Sequence, residues 1–564
     1  MERTIQQQVA ELLAEGFAAA QAAGDLPPFE VPDPVPVQRT RHKAHGDYAS
    51  PVCMGLAKVL RRAPIQIARA VVPHIPAADF IGKVEVAPPG YINFTLDDGW
   101  VARQVPVVLE AGEQWGAVDR GHGERVQVEF VSANPTGPIT IGSARNAVIG
   151  DTLAAILEAA GYAVEREYYV NDAGSQVRIF GESVLARYAE ALGVEGVPFP
   201  EKGYRGDYVV ELGKQLAAEA GDRYLTMARK EAVRAVARWS VERMLESIRA
   251  DLAALRVHFD SWFHERWLYE RGLFDEVLAR LRERGYVVEH DGAVWFRSPD
   301  LEKDAVLIRS PQVVEEPSER PTYLASDVAY LWDKLVVRGF RRAIYVWGAD
   351  HHGDVPRVRA AAKALGLDPD RLVFILYQLV TLLRGGEEVR MSKRRGDFVT
   401  LRELVDEVGP DPIRFMMLTR TVDVKLDFDL DLAVEQSDRN PVYYVQYAHT
   451  RIAGVLRHAQ AQGWPTDVMG DAARLTHPSE LALIRKMLEL PEVIVLAADN
   501  YAPHHLTAYA MDLAALFHAF YRDCRIVNPD EPELTAARLM LARAAKAVLA
   551  RVLHLMGMDA PERM

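Results

Sequence analysis

The spacing of apolar and polar residues divides the chain into three regimes. At the start, Ile5, Val9, Leu12 and Leu13 recur at helical spacing among Glu2, Glu11 and Glu15, predicting an amphipathic helix over residues 5–23. A second helix is expected over 51–72, and strands over 83–86 and 91–96 that pair across Pro88-Pro89-Gly90. A βα rhythm follows. Val126, Val128, Phe130 and Val131 are β-formers, Asn134, Pro135, Gly137 and Pro138 break the strand, and a helical pattern resumes at Ala147, Ile149 and Leu153. Further strands are expected at 163–170, at Val288 and 294–296, and at 343–347, with a helix from Thr322 through Leu335 and a mostly helical insertion over 177–286. Asp411 as N-cap and Pro412 at the first position predict a helix over 413–419. From about Asn440 onward, apolar residues at helical spacing predict an α-bundle.

Strands alternating with helices imply a doubly wound parallel sheet, a Rossmann-like α/β fold whose ligands sit beyond the carboxyl ends of the strands. Three polar clusters follow strands, at Asn134, Asn171 and Asp350, so one crevice can collect them. The expected organisation is an N-terminal α/β domain (1–118), a catalytic domain (119–436) and a C-terminal helical domain (437–564).

Composition narrows the class without choosing a partner. The 564 residues are 49% hydrophobic and 26% charged, as in a soluble globular chain of several domains. Two cysteines, Cys53 and Cys524, cannot supply a disulfide framework or a cysteine zinc site, which fits a reducing cytoplasm. No run is apolar enough for a membrane helix. A net charge of −13 argues against a uniformly basic nucleic-acid coat while leaving a local basic face possible. The run Arg39, Arg41, His42, Lys43 reads first as solvated surface and second as a nucleic-acid contact.

The turn after Val131 would aim free N–H groups and a helix N-terminus at one point, a suitable place for a phosphate. Taken alone it is an ordinary βα turn, since neither G-x-x-x-x-G-K-[ST] nor G-x-G-x-x-G is present. A second basic loop, Arg390-Met391-Ser392-Lys393-Arg394, lies between turn glycines within 389–396. Together with Val170–Gln176, Phe259–Phe263, Trp347–Gly353, Asn440–Arg451 and the terminal Ala560–Met564, these segments resemble a class I aminoacyl-tRNA synthetase, specifically a bacterial arginyl-tRNA synthetase, over essentially the whole chain.

The resemblance implies a ligase that uses ATP to activate L-arginine and then charges tRNA(Arg), with Mg2+ arriving on ATP rather than in a protein cage. It assigns arginine to Ser132, Asn134, Tyr323, Asp327, Asp350 and His351; a carboxylate is the natural bidentate partner of a guanidinium. It assigns ATP to Pro138, Gly142, Met391, Ser392 and Lys393, with Thr140, Gly142, Ser143 and Lys393 carrying catalysis. Tyr443, Tyr447 and Arg451 would meet unpaired anticodon bases, although tyrosines at helical spacing are more often core. A monomer without a dedicated metal site is expected.

One departure matters. The family's first motif has two histidines, and this chain has Thr140-Ile141-Gly142-Ser143 in their place. By analogy with an oxyanion-hole donor, losing one imidazole would cost roughly 10²-fold or more in rate. Arg145 is a candidate to compensate. The competing readings are a tRNA-binding paralogue with little ligase activity, and a nucleotidyl-transfer enzyme with another substrate.

Overall fold

The computed structural model describes residues 3–40, 42–389 and 399–564. Its centre is a five-stranded parallel sheet made of β1 (Arg125–Glu129), β2 (Ala163–Val170), β3 (Ser261–His264), β4 (Arg342–Gly348) and β5 (Leu372–Tyr377). In space the order is β5-β4-β1-β2-β3. The order reverses at β1, so a crevice opens at the carboxyl ends of β1 and its neighbours, where ligands of such sheets bind. The clusters at Asn134, Asn171 and Asp350 follow β1, β2 and β4, three adjacent strands, and therefore share that crevice.

Helix α1 (Ile141–Ala159) follows β1 and is buried along most of its length. A Cβ at Gly150 would collide with the Phe130 ring, so the missing side chain lets the helix lie close against the chain leaving β1. Helix α2 (Tyr323–Trp332) runs from a Thr322 N-cap into a π-helical turn, Asp333–Val337. The expected helix to Leu335 is thus two helical forms.

Several expectations are corrected. Residues 287–296 do not rejoin the main sheet: Val287–His290, Ala293–Phe296 and Ala305–Ile308 form a separate antiparallel sheet. The fifth strand is instead β3, inside the span read as helical insertion, where Phe259 and Trp262 pack around Tyr168. Adjacent aromatics, Trp262 and Phe263, in a four-residue stretch disguised it as a packing patch. The helix expected over 51–72 is two, Val52–Leu60 and Pro64–Val71, broken where Arg61 turns left-handed ahead of Pro64. The helix expected from Asp411 starts at Pro410 after Gly409, because the Asp411 carboxylate is drawn to Arg256 at 2.5 Å and Gln446 at 2.6 Å.

The N-terminal region is a four-stranded antiparallel sheet with helices, and it docks on the terminal bundle. Arg39, from the basic run, is tied to buried Glu492 at 2.5 Å, and its guanidinium lies 4.8 Å from the Tyr48 ring centre. It therefore cements two regions rather than facing solvent or RNA. Among the described residues no helix is long and apolar enough to cross a membrane.

Candidate active site

The chain leaving β1 is bent against its preference. Val131 and Ser132 both have positive φ, 64° and 40°, which is unusual for a β-branched residue. Four hydrogen bonds hold the bend and its surroundings. Asn146 of α1 accepts from the Val131 N–H at 2.7 Å and donates to the Val346 carbonyl at 2.9 Å, lashing the ends of β1 and β4 together. The Ser132 hydroxyl accepts from the Tyr169 N–H at 3.1 Å and lies 3.2 Å from Glu129 Oε1.

Near the strand ends lies a cavity of about 20 Å³ lined by Glu129, Tyr169, Asp327, Tyr330, Tyr345, Trp347 and Val358. Two of the liners are carboxylates and four are aromatic, a composition suited to a flat cation. Enclosure by protein, with Glu129 and Glu265 next, holds the Asp327 carboxyl well above the usual range, and Lys334 opposes this. Nearby Glu265 is pushed up to about 7, chiefly by burial; its Oε1 accepts from Ser326 Oγ at 2.5 Å. The Tyr169 hydroxyl and the Ala173 backbone N–H also donate to the Glu265 carboxyl.

A polar chain crosses the mouth of the crevice. Asn134 Nδ2 donates to Gln176 Oε1 at 3.0 Å, and Gln176 Nε2 donates to the Tyr323 hydroxyl at 3.2 Å. Asn134 and Tyr323 are joined through Gln176, while Ser132 and Asp327 lie on either side of Glu129. Asp350 and His351 lie further out, in the exposed turn Ala349–Gly353, where the His351 ring is 5.6 Å from Trp347. They occupy the rim. Among the described residues no three His, Cys, Asp or Glu side chains gather as for a metal ion.

Thr140 is the N-cap of α1, and its side chain makes no cap hydrogen bond. A Cβ at Gly142 would meet only Thr140 Oγ1, at 3.9 Å. The fold does not require glycine there, which leaves room for a ligand to do so. Pro138 precedes this turn, and Ser143 sits in its first coil with its N–H donating to the Thr140 carbonyl at 3.0 Å. Thr140 also pairs with Thr400, and the Leu401 N–H donates to the Ile139 carbonyl at 2.8 Å. The segment that follows the second basic loop is therefore anchored beside the helix N-terminus. Arg390, Met391, Ser392, Lys393 and Arg394 lie outside the described residues.

Arg145 is fixed within the fold and does not face the N-terminus of α1 as a free cation. Its guanidinium is buried and donates to the carbonyls of Gln378 at 2.8 Å, Val424 at 2.9 Å and Thr421 at 3.0 Å. In helix α3 (Pro441–Ala461), Tyr443 and Tyr447 stack at 5.7 Å and 9°, half-buried, and Arg451 lies over Tyr447 at 5.0 Å and Tyr521 at 4.8 Å. Beside the crevice a larger groove of about 1330 Å³ is bordered by Arg178, Arg229, Lys230, Arg234, Arg238 and Arg266 together with acidic residues.

Sequence reasoning missed Glu129, Lys334, Asn146, Tyr169 and Glu265. A signal existed for the first: a central parallel strand is buried on both faces and should be apolar throughout, yet Gln127 and Glu129 interrupt it.

Three family models match successive parts of the chain. Residues 104–424 match the family model described as tRNA synthetases class I (R), catalytic domain. Residues 3–96 match the arginyl tRNA synthetase N terminal domain, and 445–564 the DALR anticodon binding domain. An arginine–tRNA ligase of Dehalococcoides mccartyi is 45% identical over 558 residues, covering 99% of this chain and 98% of that protein. One from Heliobacterium modesticaldum is 47% identical over 549 residues, 96% and 95% of the two chains. Among solved structures, a putative arginyl-tRNA synthetase of Campylobacter jejuni aligns with a TM-score of 0.75 at 34% identity, covering 83% of this chain and all of that one. The Thermus thermophilus arginyl-tRNA synthetase shares the fold, with a TM-score of 0.76 at 24% identity over the full length of both. With its catalytic region and both flanking regions matched, the chain belongs to the class I arginyl-tRNA synthetase family.

Proposed function

We propose that this chain is an arginine–tRNA ligase, which activates L-arginine with ATP and transfers it to the 3′-terminal adenosine of tRNA(Arg). The observation that carries the reading is the aromatic-walled cavity shared by Asp327 and Glu129 at the strand ends. In activation the arginine carboxylate attacks the α-phosphate, a P–O bond forms, and pyrophosphate leaves with the electrons of the bond it breaks. The protein's task is to position both substrates and offset developing charge.

In this reading Asp327 and Tyr323 hold the guanidinium, with Glu129 and Glu265 adding negative charge. Ser132 and Asn134 face the α-amino end, and Asp350 and His351 close the rim. ATP lies along Pro138 and Gly142, its phosphates toward the N-terminus of α1 and toward Met391, Ser392 and Lys393. Mg2+ would travel with the triphosphate and supply further positive charge there. Thr140 and Ser143 stand where the family has histidines; each donates a hydrogen bond, but neither carries charge. The tRNA meets Tyr443, Tyr447 and Arg451 through its anticodon, and the arginine-bordered groove takes the acceptor end. We further read the chain as a monomer with regions 1–118, 119–436 and 437–564.

The test is ATP–pyrophosphate exchange with each amino acid, with and without tRNA. Exchange that depends on arginine is expected; tight tRNA binding with no exchange under any condition would overturn the reading in favour of a non-catalytic tRNA-binding protein.

A further inference from the structure

Behind the pocket wall lies a lysine that touches no part of the cavity. Lys334 is fully buried in the π-helical turn that continues α2. Its Nζ sits 2.5 Å from Glu129 Oε2, 3.9 Å from the Tyr330 ring centre and 3.8 Å from that of Tyr345. All three partners line the cavity. Burying an ammonium is costly, and π-helical turns are rare and cluster at functional sites. A methionine or leucine would fill the same space without that cost.

The charges explain why a cation is kept. Glu129, Glu265 and Asp354 face Asp327 with negative charge, and among the groups acting most strongly on that carboxyl only Lys334 is positive. Glu167 lies close to Lys334, but two nitrogens of Arg338 already engage it, as does the Tyr330 hydroxyl. The other oxygen of Glu129 meets Ser132 in the strained bend. One ammonium therefore fixes a run of contacts from the π turn through Glu129 to the first βα loop.

We propose that Lys334 is a positioning residue for arginine, orienting Glu129 and Ser132 from behind and offsetting the mutual repulsion of the pocket carboxylates. The inference rests on the reading that this cavity takes the arginine side chain. It sharpens that reading, because the pocket's preference for a cation is set by a balance of one lysine against several acids.

The experiment is Lys334→Met, assayed by arginine-dependent exchange with tRNA present over a range of pH. KM for arginine is expected to rise about 10–100-fold, the scale seen for supporting partners of bound groups, with KM for ATP unchanged. The pH at which arginine is used should move upward, since Asp327 loses the cation favouring its charged form. A merely structural role would depress activity equally at every pH. Glu129→Gln/Lys334→Met removes the unpaired charge and covers the case where the single variant does not fold; there KM should stay high while the pH profile returns toward the parent. A folded Lys334→Met, or failing that a folded double variant, with the parent's arginine KM would overturn the proposal. If Asp327→Ala also leaves arginine use unchanged, it is the pocket reading that falls instead.

Discussion

Asp327→Asn keeps the shape of the side chain and removes one negative charge from a pocket built around several. A hydrogen bond to a charged group contributes about 1.5–3 kcal/mol, and stranding one partner of a buried charge pair costs roughly 3–5 kcal/mol. Asp327 keeps some solvent contact, so the expected loss lies where these ranges meet, near ~3 kcal/mol, or about 10²-fold in KM for arginine. The effect on the free protein has the opposite sign. Without substrate, Asp327 is a carboxyl repelled by Glu129, Glu265 and Asp354 and favoured by Lys334. Neutralising it relieves that repulsion, so the thermal midpoint should hold or rise while arginine use collapses. The assay pairs arginine-dependent pyrophosphate exchange, at varied arginine and then varied ATP, with a thermal melt of the same preparation. An unchanged arginine KM would refute the pocket, and a lowered midpoint together with a raised ATP KM would assign Asp327 to the fold instead.

Other perturbations separate the remaining parts. Gly142→Ala should leave the midpoint unchanged or slightly higher, since an added Cβ meets only Thr140 Oγ1 and alanine is favoured over glycine in a helix, yet raise KM for ATP; an unaltered ATP KM would remove adenine from this turn. Thr140→His/Ser143→His should raise the rate of adenylate formation by about 10²-fold if imidazoles act as charge-stabilising donors, measured by single-turnover exchange. Tyr447→Ala should weaken kcat/KM for tRNA by roughly 10-fold or more, the worth of about one stacked base, without changing KM for arginine in exchange; a matched loss for both would make the stack structural. Burial pushes the Glu265 carboxyl up to about 7, so in the free protein its contribution to stability is full below the ordinary carboxylate range and is lost as pH rises through 7. Arginine should bind the ionised form, so the midpoint shift it induces should be larger at pH 8 than at pH 6; equal shifts would exclude Glu265 from the pocket.

The parallel sheet was legible because β1, β2 and β4 end in polar clusters that interrupt apolar runs, and the crevice followed from their adjacency. The edge strand β3 was not, because Ser261–His264 has four residues of mixed character and follows a 26-residue helix, Arg229–Ala254. The N-terminal basic run was misleading in a different way. Its sequence shows Arg39 among cations, whereas the fold brings Glu492, 453 residues away, within 2.5 Å. Local charge cannot reveal a partner that distant. The same holds for the pocket: Asp327 stood out through a motif, but Glu129 and Lys334 sit 205 residues apart and look individually like a strand residue and a helix residue.

The buried guanidinium groups of the chain give the pocket its contrast. Arg145 is satisfied by three backbone carbonyls and fastens α1 to the segments at 378 and 421–424. Arg414, equally buried, donates to the carbonyls of Leu255, Arg256 and Met556 and to Asp151, gathering α1, the end of the insertion and the carboxyl-terminal tail. These two guanidinium groups are held largely by carbonyls, whereas Arg39 is matched by the buried Glu492 carboxylate and Arg338 by Glu167. The cavity at the strand ends has two carboxylates in its wall, Glu129 and Asp327, and one ammonium, Lys334, behind Glu129. In the proposed reading an arriving guanidinium offsets the negative charge that Lys334 leaves unmatched, so the cavity favours a cation from outside the chain.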